Sequence, residues 1–140
     1  MEFKQRSLMQ LAQLICGNDD ANKTFFRNRS SSYLTEFFED CDTEYVHDGS
    51  TRDRWVAEVL KAILAEPHHN ANTPPETFSR VIRTLMDQGD AVNENPERKG
   101  ALKALAAALA REGFESFYAD DKQCYVVTTS PVAVTRLASV

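Results

Sequence analysis

The stretch that decides the fold is GSTRDRWVAEVLKAIL, residues 49–64. Its apolar side chains recur at helical spacing and form one continuous stripe: Trp55, Val56, Val59, Leu60, Ile63 and Leu64. Ser50 and Asp53 have the spacing of a capping box, in which two side chains satisfy the first free amide groups of a helix. The stretch therefore predicts an amphipathic helix that begins at Ser50 and packs its stripe against a core.

Four further helices are predicted from the same periodicity. The first covers residues 3–15 and ends at the capping glycine Gly17, and the second opens on the serines at positions 30–32. The fourth begins at a second capping box, Thr73 with Glu76, and has Pro74 at its first helical position. The fifth begins near Asn95 and Pro96, is rich in alanine and ends at Gly113.

The hydrophobic period then changes from that of a helix to that of a strand. Residues 114–119 and 124–128 are short, aromatic and β-branched, and four polar residues separate them. We therefore expect a mainly α fold, five helices with a C-terminal β-hairpin, which is α+β at the margin and resembles a winged helix in its last third. Residues 1–130 would form this single domain, and residues 131–140 a tail or the start of a linker.

Length and charge bound the class of protein. A chain of 140 residues with 42% hydrophobic and 26% charged residues is typical of one globular domain. Its formal net charge of −5 disfavours broad binding to nucleic acid, which needs a basic face. No apolar run is long enough for a membrane span, and residues 1–10 place charges where a signal peptide has its apolar segment. We therefore expect a cytoplasmic protein.

The sequence contains no motif for catalysis or for a metal site. His47 adjoins Asp48, but neighbouring side chains in a loop rarely face each other and no nucleophile motif accompanies them, so we expect a turn or surface histidine. The pair His68–His69 lacks the spacing of a zinc site. Three widely spaced cysteines are predicted to be buried free thiols: Cys16, Cys41 and Cys124. The expectation is no enzyme, no catalytic residue, no metal and no cofactor.

Two predicted helix starts each carry two arginines. Arg27 and Arg29 precede the serines of the second helix, and Arg52 and Arg54 lie in the first turn of the third. Arginine costs roughly a few tenths of a kcal/mol at the positive end of a helix dipole, so these positions need an explanation. One explanation is pairing with the carboxylates of residues 36–42, Asp48 and Asp53. The other is an anion site, where helix amides and guanidinium groups bind phosphate or carboxylate.

Several short segments combine into a pattern with a known counterpart. They are RxRSSSYLxxFF at residues 27–38, GSTRxxWV at 49–56, ALAREGF at 108–114 and CYVV at 124–127. With these segments the chain resembles the N-terminal domains of bacterial antiphage proteins of the kind named after the abortive-infection protein AbiJ. The likeness covers roughly residues 5–128.

The resemblance implies a non-catalytic module that senses infection, or joins a sensor to an effector, in antiviral defence of the abortive-infection or CRISPR type. It also implies a ligand or interaction face made of the matching positions: Arg27, Arg29, Ser30, Ser31, Ser32, Tyr33, Ser50, Arg52 and Trp55. Arg54 joins this face because it lies in the same helix start as Arg52.

Three functions are therefore predicted. The first is a binding or adaptor module that contacts a protein partner or a fused effector domain, and whose alanine-rich fifth helix could also pair in a homo-oligomer. The second is a sensor that binds a cyclic nucleotide or oligonucleotide in an arginine-lined pocket. The third, winged-helix-like DNA binding, is disfavoured by Asp120 and Asp121 at the hairpin tip, which would repel phosphate.

Overall fold

A computed structural model describes residues 1–17, 26, 28–68, 72–87 and 98–129. These residues form five α-helices and one antiparallel two-stranded hairpin: α1 (Gln5–Cys16), α2 (Ser31–Asp40), α3 (Arg52–Leu64), α4 (Glu76–Leu85), α5 (Arg98–Ala110), β1 (Phe114–Tyr118) and β2 (Cys124–Thr128). The predicted mainly α fold with a C-terminal hairpin is confirmed. Across the described residues, no helix is both long and apolar enough to cross a membrane. The expected tail and the expected start of the fifth helix lie outside these residues.

The core forms where α1 packs against α3 and α5. Each helix contributes the buried stripe that its period predicts; α3 buries Val56, Ala57, Val59, Leu60, Ile63 and Leu64. In α5 the buried positions include Ala101, Leu105, Ala108 and Leu109, and the two alanines leave room for neighbouring elements to approach closely. Burial of one leucine or isoleucine side chain contributes roughly 1.5–3 kcal/mol, so this cluster supplies most of the driving force for folding.

Two predicted helix starts are wrong. α3 begins one residue after Thr51, and the Ser50 hydroxyl donates to Asp48 in a local turn instead of capping the helix. α4 begins at Glu76, after the N-cap residue Pro75, so the predicted capping box at Thr73 does not form. A residue before proline is driven out of the helical region, and this keeps Pro74 from being the first helical residue.

Remote residues hold both ends of α1. At its start, the carboxylate of Glu112 accepts hydrogen bonds from the Lys4 amide (3.1 Å) and from the buried Ser7 hydroxyl (2.7 Å). At its end, Gly17 has the positive φ of 69° and donates its amide to Gln13, as the predicted glycine cap requires. Arg29, which precedes α2, donates its backbone amide to the carbonyl of Cys16 at this same end of α1.

The hairpin lies against α4 and α5. Its register pairs Phe114 with Thr128 and Phe117 with Tyr125, so Phe114 and Val126 are buried while Phe117 is exposed. The Tyr118 hydroxyl donates to the carbonyl of Met86 at the end of α4 (2.7 Å). A two-stranded ribbon is marginal alone, and these contacts with the helices stabilise it.

Candidate binding site at the starts of α2 and α3

The starts of α2 and α3 lie side by side, and His47 bridges them. Its Nδ1 is 2.6 Å from the hydroxyl of Ser31, the first residue of α2, and its Nε2 is 2.9 Å from the carbonyl oxygen of Ser50. The backbone amide of His47 donates to Thr35, one turn further along α2 (3.0 Å). The convergence of the two helix starts, which the anion-site hypothesis requires, is therefore present.

When the ring of His47 carries one proton, its hydrogen bonds decide which nitrogen holds that proton. A carbonyl oxygen can only accept, so Nε2 carries the proton that is donated to Ser50. Nδ1 is then the acceptor, and the hydroxyl of Ser31 donates to it. The ring also packs edge-on against Trp55, with 4.9 Å between ring centroids, and only 9% of His47 is exposed. The expectation of a surface histidine is thus wrong, because polar and aromatic partners on both helices enclose the ring.

Neither helix start is capped by the side chain of its N-cap residue. The N-cap of α2 is Ser30 and that of α3 is Thr51, and neither side chain caps its helix. The first amide groups of a helix have no acceptor within the helix itself. In α3 the amide of Arg54 is bound by the carboxylate of Asp53 (2.8 Å). The starts of α2 and α3 therefore both lack a side-chain cap from their N-cap residues.

Arg29 does not line a pocket. It is 5% exposed, its amide donates to the carbonyl of Cys16 (2.7 Å), and its Nη1 donates to the carbonyl of Ile15 (2.6 Å). Its guanidinium carbon lies 4.7 Å from the ring centroid of Phe37, a cation–π distance. Arg29 therefore precedes α2 in sequence but serves the end of α1, where free carbonyl groups favour a cation.

The other arginines of the proposed site behave differently from one another. Arg52 is half-buried, and its Nη1 donates to the carbonyl of Arg29 (2.6 Å) and to Asn28 (2.7 Å). The side chain of Arg54 is exposed, and Arg27 lies outside the described residues. The structure thus places Arg52 and Arg54 at the same helix start. The guanidinium groups of Arg29 and Arg52 each donate a hydrogen bond to a backbone carbonyl. For Arg52 the sequence predicted carboxylate partners, and the structure gives it the amide oxygen of Asn28 and the carbonyl oxygen of Arg29.

The remaining predicted site residues divide between the helix starts and their surroundings. The hydroxyls of Ser30 and Ser32 are 3.3 Å apart, and Ser31 contacts His47. Trp55 is half-buried and packs edge-on against Phe38, 5.5 Å between centroids, as a residue at the margin of the core. These residues lie around the bridge between α2 and α3. Tyr33 is the third residue of α2, and its side chain is exposed.

The surface around α2 is acidic. Residues 31–51 contain six carboxylates and neither lysine nor arginine, so this segment carries more negative charge than the formal net −5 of the whole chain. Asp42 lies 3.9 Å from Arg80, a long ion pair at the end of α2. The carboxylate of Asp48 accepts from the hydroxyl and the amide of Ser50, and these hydrogen bonds lower the pKa of Asp48 below its ordinary value.

The cysteines offer no reactive group. All three are buried free thiols, as predicted, and burial raises the pKa of each thiol to about 11: Cys16, Cys41 and Cys124. A thiol with such a pKa stays protonated near neutrality and is a poor nucleophile and metal ligand. In the part of the chain that the structure describes, histidines, cysteines and carboxylates form no cluster of three that could hold a metal ion.

The contact between Ser31 and His47 was missed from the sequence. The two residues are separated by 16 positions, and no short motif marks the pair. Its only sequence signal is indirect, because a loop that returns from the end of α2 to the start of α3 must pass the start of α2. Periodicity does not reveal which loop residue stops beside Ser31.

The segments that carry the AbiJ-type resemblance fall in two parts of the fold. The first and second segments form the starts of α2 and α3, which His47 joins, and the last two form the end of α5 and the hairpin. The resemblance itself rests on these sequence segments. Searches of protein-family models, of curated proteins and of solved structures found no match to this chain.

Proposed function

We propose that the chain is a non-catalytic adaptor module of bacterial antiviral defence that binds a basic segment of a partner protein or of a fused effector domain. The defence context is supported by the resemblance of the segments at residues 27–38 and 49–56 to AbiJ-type N-terminal domains. The binding role is supported by the surface of α2, whose outer face is exposed, acidic and bordered by large apolar side chains.

The outer face of α2 is formed by residues at helical spacing. Ser32, Glu36, Glu39 and Asp40 are all exposed and fall on one side of the helix. Like charges three or four residues apart repel each other on a helix. A basic partner would remove this repulsion and would be attracted to the surface over long range, with association that weakens as salt increases.

Two exposed apolar side chains border this face and are the observation that carries the proposal. Tyr33 is 56% exposed and Val46 is 68% exposed. Val46 adjoins the residue that contacts Ser31 and Thr35, which places it on one border, and helical geometry places Tyr33 on the other. Exposed tyrosines often anchor interfaces because they bury a large area at a small cost in entropy. The face therefore suits a partner helix with both basic and apolar residues.

The experiment is a titration of the full chain with a fluorescent amphipathic peptide of leucine and lysine. The peptide should bind, and the double substitution Glu36→Lys with Glu39→Lys should weaken binding by about tenfold or more, or roughly 1.4 kcal/mol. The matched control, Glu58→Lys with Glu115→Lys, changes the net charge equally at exposed positions on α3 and β1. If both double variants weaken binding equally, the attraction is diffuse and the proposed surface is wrong.

A second candidate function is a sensor of a cyclic nucleotide. It is supported by two adjacent helix starts whose N-cap side chains make no capping hydrogen bond. Arg54 is exposed and Arg52 is half-buried at the start of α3. Helix amides and guanidinium groups together bind phosphate. The same region also contains Asp48 and Asp53, which disfavour an anion, so we rank this function below the adaptor.

The sensor function predicts stabilisation by cyclic di- and oligonucleotides in a thermal-shift assay. A ligand at a hundred times its Kd adds ~2.7 kcal/mol, which raises Tm by roughly 5 °C or more for a chain of this size. Arg54→Ala should remove the shift, whereas Lys61→Ala, which removes one charge from the other end of α3, should keep it. A transition that no nucleotide moves would eliminate the sensor function and leave the adaptor.

A further inference from the structure

Ser31 and His47 have the geometry of a nucleophile and its base. Ser31 is an exposed residue, and its hydroxyl makes a partly buried contact of 2.6 Å with Nδ1 of His47, whose ring is almost completely buried. In the singly protonated ring Nδ1 is the nitrogen without a proton, because Nε2 donates to the carbonyl of Ser50 (2.9 Å). An accessible hydroxyl, a base within hydrogen-bond reach and a third group that orients the base are the elements of an activated nucleophile.

We propose that Ser31 is a covalent attachment site, at which His47 activates the hydroxyl for reaction with an activated ester or thioester. The carbonyl of Ser50 takes the place of the carboxylate that orients the base in a catalytic triad, and Trp55 holds the ring edge-on at 4.9 Å. A nucleophile at the first position of a helix also has free backbone amides next to it, which stabilise a negative oxygen.

The step transfers one acyl group to the chain. Oγ of Ser31 attacks the acyl carbon of the donor, and Nδ1 of His47 takes the hydroxyl proton. The bond between the acyl carbon and the leaving oxygen or sulfur then breaks, and the leaving group takes the proton from His47 as an alcohol or thiol. The product is an ester on Ser31 with His47 neutral again, so no oxidant or reductant is involved. One reaction per chain is sufficient for covalent attachment. The step adds an attachment site to the proposed adaptor function and requires no catalytic turnover.

The experiment exposes the full chain to p-nitrophenyl acetate and, in parallel, to a fluorophosphonate, and locates the adducts by peptide mass spectrometry. Ser31 should be labelled about a hundredfold faster than Ser30 and Ser32, the low end of what a general base contributes. These two exposed or half-exposed serines at the same helix start are references within the same folded molecule, so the comparison does not depend on any variant. Equal labelling of the three serines, or no adduct at Ser31, overturns the proposal.

Variants then assign the base. His47→Gln should reduce labelling of Ser31 to the rate of Ser32, and His68→Gln, a change at a histidine beyond the end of α3, should leave it unchanged. If His47→Gln unfolds the chain, as judged by circular dichroism, the comparison of serines in the unmodified chain still decides the outcome. The titration with the leucine–lysine peptide does not depend on an adduct at Ser31. If the labelling experiment fails, the adaptor function still stands, and if the peptide titration fails, Ser31 is still expected to react.

Discussion

Among single residues, Arg29 shows why an arginine can precede α2 although the start of a helix disfavours a cation. Its guanidinium donates to the carbonyl of Ile15 and lies over the ring of Phe37, and its backbone amide donates to the carbonyl of Cys16 at the end of α1. Its own carbonyl accepts from Arg52. The end of a helix carries partial negative charge and favours a cation. The position of Arg29 is therefore explained by the end of α1, and that of Arg52 by its hydrogen bond to the carbonyl of Arg29.

Replacement of Arg29 tests this explanation. Arg29→Met keeps much of the apolar volume but leaves the Ile15 carbonyl without its donor and removes the cation from Phe37, which should cost about 2–4 kcal/mol. Arg54→Met, at an exposed position, is the control and should change stability by less than about 0.5 kcal/mol. The free energy of unfolding from urea denaturation distinguishes them. Equal values for the two variants would show that Arg29 does not hold α1 and α2 together.

At the scale of elements, the helices depend on tertiary contacts more than on their own caps. α1 has no acidic residue in its first turn and no basic residue in its last, and Glu112 and Arg29 supply these charges from elsewhere in the chain. α2 and α3 begin without a side-chain cap from Ser30 or Thr51, and His47 joins them instead. These helix ends are therefore stabilised by residues that are distant in sequence and that only the folded chain brings together.

At the scale of the molecule, local patterns were sufficient for the fold and insufficient for the site. Helical stripes and the change of period at residue 114 predicted five helices and a hairpin, because burial follows periodicity. The predicted capping box at Ser50 does not form, because the hydroxyl of Ser50 donates instead to the carboxylate of Asp48. The bridge from Ser31 to His47 depends on where a loop returns, which no local pattern encodes.

His47 joins the starts of α2 and α3 as a buried ring whose Nε2 donates to the carbonyl of Ser50. Nitrogen-15 NMR of the imidazole rings near neutral pH, with His47→Gln to assign the signals, measures this directly. We expect His47 to show a protonated, slowly exchanging Nε2 and an unprotonated, hydrogen-bonded Nδ1. A proton on Nδ1, or rapid exchange typical of a solvent-exposed imidazole, would contradict the bridge and, with it, the activation of Ser31.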